Sequence, residues 1–196
     1  MLTVENATQW LINFAKKVNE QKEFLTELDS AIGDGDHGSN MARGTKAMED
    51  KLIEGGFTTV QDVFKTASML LLSKVGGASG PLYGSALMGM AKQAGNDEKD
   101  LVAILNAGLE GIQKRGKAEP GEKTMVDVWA PVIHALESGK LNKETIQEAV
   151  NQTKDMKATK GRASYLGDRS IGHMDPGATS SGYYFEALLE GDIIDE

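Results

Sequence analysis

One apolar stripe after another, each at helical spacing, limits what this chain can fold into. Ala7, Trp10, Leu11, Phe14, Ala15 and Val18 recur at i, i+3, i+4, i+7, i+8 and i+11. Val60, Val63, Phe64, Ala67 and Leu71 follow the same rule with one position missing. Leu101, Ile104, Leu105, Gly108, Leu109 and Ile112 repeat it, as do Met125, Val128, Trp129, Val132, Ile133 and Leu136. Residues so spaced share one face of an α-helix, so each segment is an amphipathic helix with one side to bury. Weaker patterns over 39–53, 81–94, 142–157 and 178–190 bring the expectation to about eight helices. No stretch alternates apolar and polar residues as a half-buried strand would. The expected fold is all-α.

Turn chemistry divides these segments. Gly55–Gly56, Gly76–Gly77, Gly95–Asn96 and Gly139–Lys140 each follow a helical pattern, where glycine accepts the left-handed backbone of a helix C-cap. Pro81 suits a first helical turn, where its missing N–H has no partner to lose. No linker, repeat or low-complexity tract interrupts the chain, and 196 residues are enough for one full core, so 1–196 reads as a single domain. A net charge of −8 argues against non-specific nucleic-acid binding, which needs a basic surface. There is no cysteine, so neither a disulfide framework nor thiolate chemistry is available, which fits the cytoplasm. Glu5, Asn6 and Gln9 stand where a signal peptide would be apolar, and no apolar run reaches the length of about 18 residues of a membrane span. These features lead us to expect a soluble, cytoplasmic protein with no membrane partner.

Chemistry concentrates in Asp29 to Gly44. Asp29, Asp34 and Asp36 are read as lying on a glycine-broken loop that leads into a helix. Carboxylates this close repel one another unless a cation sits among them, and an all-oxygen ligand set favours a hard ion such as magnesium or calcium. Gly38, Ser39 and Asn40 can open the helix and present free backbone N–H groups to an anion. Gly33 to Gly38 also fits G-x-G-x-x-G, but two aspartates there would repel a pyrophosphate and no hydrophobic strand precedes it. An EF-hand beginning at Asp34 needs glycine sixth and glutamate twelfth, where this chain has Ser39 and Thr45. Gly111 to Ala118 approaches a P-loop but lacks the closing Ser or Thr. His37 adjoins the carboxylates, yet magnesium prefers oxygen, so it is not counted as a ligand.

Three further irregular segments carry unusual residues. Gly76 to Ser85 reads either as an N–H nest around an anion, with the Ser79 hydroxyl added, or as a C-cap joined to an N-cap. The small residues Gly84, Ser85, Ala86 and Gly89 allow close helix packing or leave room for a ligand. In Arg115 to Met125, Thr124 can cap the next helix or bind phosphate. Thr159 to Gly177 is the longest stretch without periodicity, and such loops are often functional. Its Arg162 and Arg169 are fixed cations suited to phosphate or to surface ion pairs. His134 lies within a patterned helix and reads as structural. A divalent cation, positioned phosphates and arginines, without a conspicuous nucleophile, are what phosphoryl transfer requires.

Four motifs in order, Gly33–Met41 (GDGDHGSNM), Gly77–Gly84 (GASGPLYG), Gly121–Met125 (GEKTM) and Gly161–Gly177 (GRASYLGDRSIGHMDPG), resemble the L, or nucleotide-binding, subunit of dihydroxyacetone kinase over essentially the whole chain. The resemblance implies a barrel of eight antiparallel up-and-down helices with ADP or ATP bound at one end. It implies that Asp29, Asp34 and Asp36 hold magnesium, with two ions expected. By the same resemblance His37, Gly38, Ser39, Asn40, Ala78, Ser79, Gly116, Met125, Arg162, Asp175, Pro176 and Gly177 line the nucleotide. Thr124 and Arg162 then assist the phosphoryl group.

The resemblance further implies how such a chain works. A stand-alone L subunit is similar to the bacterial type that cooperates with a K subunit holding dihydroxyacetone and a phosphoryl-donor M subunit of the phosphotransferase system. There bound ADP is rephosphorylated in place. With the sequence ending after its last helical pattern, no fused K domain is expected. Two rival expectations are a subunit that exchanges ATP and serves another small ketose or triol, and a nucleotide-dependent binding module that contacts a transcription regulator.

Overall fold

The computed structural model describes residues 1–194, so the expected domain 1–196 runs two residues past them. Among the described residues there are nine α-helices and no strand. They are α1 (Val4–Glu20), α2 (Lys22–Ile32), α3 (His37–Glu54), α4 (Val60–Lys74), α5 (Ser79–Asn96), α6 (Leu101–Gly116), α7 (Val126–Glu137), α8 (Lys143–Asn151) and α9 (Pro176–Glu190). Start signals are visible in the side chains. Thr3 caps α1 in a reciprocal box with Asn6, and Thr59, Asp100, Asn142 and Asp175 cap α4, α6, α8 and α9 by accepting a backbone N–H.

The helices close into a ring. α1 packs on α3, and from α3 each helix packs on its successor as far as α9, which returns to α1. The closure is pinned where the chain ends meet, since the Met1 ammonium donates to Ile193 O at 3.0 Å. Short connections between most neighbours make the pairs antiparallel. The interior is aromatic: Tyr184 lies between Trp10 and Trp129, with ring centroids 4.8 and 5.1 Å away. Both tryptophans come from the stripes read in the sequence and are fully buried.

Four details differ from the sequence reading. α2 was not expected, because only Leu25 and Ile32 of its residues are buried and two apolar positions make no stripe. It is held instead by lying across α3 and α9. Asp29 therefore stands in the last turn of a helix, not on a loop. Gly95 and Asn96 lie inside α5 rather than capping it; a Cβ at Gly95 would come within 2.5 Å of the Gln61 side-chain nitrogen, so this glycine serves contact with α4. The 142–157 segment is α8 followed by a 3-10 turn at Gln152–Asp155. The small-residue stripe of α5 serves packing: a Cβ on Gly89 would sit 2.5 Å from Ala107 O, so α5 and α6 meet backbone to backbone.

Candidate functional site

An up-and-down ring starts every second helix at the same end. Here α3, α5, α7 and α9 all begin at one cavity of about 480 Å³, lined at their starts by His37, Ser79, Val126 and Pro176. Each start carries partial positive charge, so four positive helix ends converge on one space that suits an anion. No side chain caps the start of α5, where the backbone turns through Gly77 at φ 68°. The α3 start is capped from a distance: Asp29 Oδ2, on α2, accepts from the N–H groups of Asp36 and His37 at 2.9 and 3.0 Å.

Asp29, Asp34 and Asp36 all line this cavity. Their oxygen-only donor set fits a hard divalent cation, and Asp34 already attracts a positive group, Arg162 Nε at 3.4 Å. Among the described residues no three acidic or histidine side chains are gathered into a ready-made ion cage. The carboxylates form a wall rather than a closed cluster.

His37, Asn40, Ala78, Ser79, Gly116, Thr124, Met125, Arg162, Asp175, Pro176 and Gly177 also line the cavity, so the structure brings these candidate residues together. Gly38 and Ser39 do not. Gly38 is buried against α2, where a Cβ would fall 1.8 Å from Lys22 O; its role is to let α3 approach α2. Ser39 is exposed, and its hydroxyl donates to Asp36 O at 3.0 Å. Arg169 and His134 are solvent-exposed and outside the lining. The Thr124 hydroxyl oxygen accepts from the Val126 N–H, at the first residue of α7, at 3.1 Å.

The sequence reading missed several lining residues. Ile32, Leu82, Ile112 and Ala118 add apolar lining to the cavity, Leu82 against Gly116, and Arg115 and Lys160 add cations. Ile112 was legible as the last residue of the α6 stripe. Lys123 was not, because nothing in sequence separates it from a surface lysine, yet it is 1% exposed.

Behind the cavity a buried hydrogen-bonded chain links it to the core. His37 Nδ1 lies 3.1 Å from Ser79 Oγ, and Nε2 lies 3.0 Å from Ser180 Oγ. Tyr83 OH lies 2.7 Å from Ser180 Oγ and 3.0 Å from Ser181 Oγ, to which Trp129 Nε1 donates at 3.1 Å. Ser180 has one proton to give. Donated to Gly177 O at 3.1 Å, it leaves Ser180 to accept from His37 Nε2, so that Nδ1 accepts from Ser79. Burial holds the His37 imidazole down at about 4, against the opposing pull of Asp36. Burial pushes Asp175 up to about 7, although its bond from Ala178 N–H and the Lys123 charge oppose this.

Comparison with known proteins identifies the family. The DAK2 domain model matches residues 31–190. The chain belongs to the DAK2 domain family. Over 190 residues this DAK2 domain is 53% identical to the PEP-dependent dihydroxyacetone kinase 1, ADP-binding subunit DhaL, of Listeria innocua, covering 95% of the chain and 96% of that protein. It is 52% identical, again over 190 residues, to the PTS-dependent dihydroxyacetone kinase, ADP-binding subunit DhaL, of Lactococcus lactis, covering 97% and 98%. Its fold superposes on the crystal structure of the C. freundii dihydroxyacetone kinase in complex with AMP-PNP and Mg2+ at a TM-score of 0.78. That match covers 97% of this chain and 34% of the larger one at 23% identity, and it speaks to the fold alone. No described helix is long and apolar enough to cross a membrane.

Proposed function

We propose that this chain is the ADP-carrying subunit of a multi-subunit dihydroxyacetone kinase. It takes a phosphoryl group onto bound ADP from a phosphotransferase-system M subunit and passes it to dihydroxyacetone held on a K subunit. The observation that carries this reading is the convergence of four helix starts and three carboxylates on one cavity, in a chain about half identical to two ADP-binding subunits. Asp29, Asp34 and Asp36 would hold magnesium, which supplies charge neutralisation among phosphate oxygens. Backbone N–H groups at the uncapped start of α5 would face the phosphates, the positive end of α3 lies beside them, and Arg162 adds a fixed positive charge where negative charge accumulates. Leu82, Ile112 and Met125 give the base an apolar wall. The conspicuous reactive groups are donated and accepted by the partners; this chain positions and neutralises.

Native mass spectrometry of the extensively desalted chain, with the denatured supernatant analysed for nucleotide, tests the proposal. One ADP with magnesium per chain is expected, followed by phosphoryl transfer when K and M subunits are supplied. A chain that arrives empty and binds ATP weakly would indicate exchangeable ATP and a different phosphoryl source. No binding with magnesium present would overturn the reading.

A further inference from the structure

The α6–α7 connection contains a lysine whose placement the phosphate chemistry does not use. Lys123 is 1% exposed, and its ammonium points away from solvent into a ring of backbone oxygens. Nζ donates to Thr153 O at 2.5 Å, to Met156 O at 3.2 Å and, at 3.4 Å, to Lys154 O. It also donates to His173 O. Three protons shared among four carbonyls satisfy the ammonium without a carboxylate partner.

The four carbonyls are not neighbours in sequence. Thr153, Lys154 and Met156 lie on one stem of the long α8–α9 connection, and His173 lies on the other. Lys123 thus clamps the neck of a segment that carries Gly161, Arg162 and Ala163 to the cavity wall. The neck has two more ties, Gly172 N–H to Lys154 O at 2.7 Å and Asp175 N–H to Thr153 Oγ1 at 3.1 Å. Beyond it, the segment packs on α2 and makes exposed contacts such as Thr159 with Glu122 and Arg162 with Asp34.

The backbone supplies a second, independent observation. Lys123 has φ 64°, in the left-handed region that disfavours any residue with a Cβ. Glycine would fit that backbone with less strain, so the lysine sits there against local preference. Strain of this kind points to what the side chain does.

We infer that Lys123 is a positioning residue for the nucleotide site, whose ammonium staples the neck of segment 157–172 and so places Arg162 and Asp175 at the cavity. The inference rests on the nucleotide reading above for its effect on binding, but the staple itself is a statement about the loop alone.

Two variants of the full-length chain test it. Lys123→Met keeps an unbranched side chain one atom shorter and removes the charge and donors. Lys123→Gly relieves the left-handed backbone while removing the same donors. Hydrogen exchange of 157–172 without nucleotide reads the staple directly, and both variants should lose protection there while α1 to α7 remain protected. With magnesium, ADP affinity should fall by about 10- to 100-fold, the usual range for losing a group that orients a ligand-holding one. Adenosine, which lacks the phosphates, should bind the variants and the parent within about twofold of each other, whereas general loosening of the fold would weaken both ligands alike.

Unchanged protection of 157–172 in Lys123→Met would overturn the staple. A Lys123→Gly chain that matches the parent would show that the backbone conformation, not the ammonium, sets the loop. Loss of helical signal in both variants would make Lys123 a determinant of the fold and would likewise end its assignment as a positioning residue. A parent chain that binds no ADP, with protection lost in both variants, would defeat the nucleotide reading and leave the staple standing.

Discussion

Replacing His37 by glutamine should change how this protein responds to acid. In the folded chain the imidazole is buried between Ser79 and Ser180 and titrates at about 4, against 6.5 when unburied. Above 6.5 the ring is neutral in both states and its contribution to stability is fully present. As the pH falls below 6.5 the unfolded chain takes up a proton that the folded chain resists, and stability drains away until about pH 4. A difference of roughly 2.5 pH units, at about 1.4 kcal/mol each, sets a ceiling of roughly 3 kcal/mol. For a chain of this length that corresponds to about 6–12 °C in Tm.

Asp175 works in the opposite direction and must be separated. Its folded value of about 7 exceeds the unfolded 3.8, so the folded form holds a proton that the unfolded form releases. Its effect favours the fold as the pH drops from 7 toward 3.8, which flattens the parent's own curve. The informative quantity is therefore the gap in Tm between the parent and His37→Gln, measured on nucleotide-free protein from pH 8 to 4. At pH 8 the gap reflects lost hydrogen bonds only. Between pH 6.5 and 4 the variant should gain on the parent by roughly 3 kcal/mol, because it no longer carries a buried ring that resists protonation. His134 and His173 are exposed in both proteins and drop out of the difference. A gap that stays constant across this range would refute the buried-neutral assignment of His37.

Other expectations follow from single contacts. Gly38→Ala should destabilise the chain by about 3 kcal/mol or more, since its Cβ would meet the backbone oxygen of Lys22 and neither helix can retreat cheaply. An unchanged urea midpoint would contradict this. Asp34→Ala should leave nucleotide-free stability within about 1 kcal/mol, because its ion pair with Arg162 is exposed, while abolishing ADP retention with magnesium. Asp29→Ala should abolish retention too, but should also cost about 0.5–2 kcal/mol without nucleotide, because the amides of Asp36 and His37 lose their capping acceptor. Equal apo stability of the two variants would deny Asp29 its capping role.

How far the sequence alone reaches can be judged from these same residues. Trp10, Phe14, Phe64 and Trp129 are legible as core, because burial repeats at 3.6 residues and leaves a stripe. α2 left none, because its position is decided by the helices it lies across, and that information is spread over Lys22, Thr26 and Gly38. Within the site, the aspartates and the glycine-rich segments were legible by chemical type. Gly38 looked like part of a phosphate loop because a glycine needed for close approach and one needed for an anion read identically. Lys123 and the Ser180–Tyr83–Ser181 chain were invisible for a related reason: a polar residue declares its burial only when its partners, here up to about a hundred residues away, are placed around it.

Asp29 shows why the site and the fold were partly legible together. A ring of alternating helices must bring every second N-terminus to one end, so the positive ends of α3, α5, α7 and α9 collect whether or not a ligand is needed there. Such an end would attract any anion in the cell. The acidic wall supplied by Asp29, Asp34 and Asp36 changes that preference, because a bare anion is repelled while one that arrives with a divalent cation is not. Asp29 spends one carboxylate oxygen, Oδ2, on the α3 start and lines the cavity, so it joins helix capping to the acidic wall in a single side chain. On this argument Asp29→Asn, which keeps an acceptor for the two amides but removes the charge, should hold apo stability better than Asp29→Ala. It should also bind magnesium-free ADP at least as well as the parent while losing the advantage that magnesium confers. Isothermal titration with and without magnesium measures both terms, and an Asp29→Asn chain that still gains from magnesium as the parent does would separate the acidic wall from cation selection.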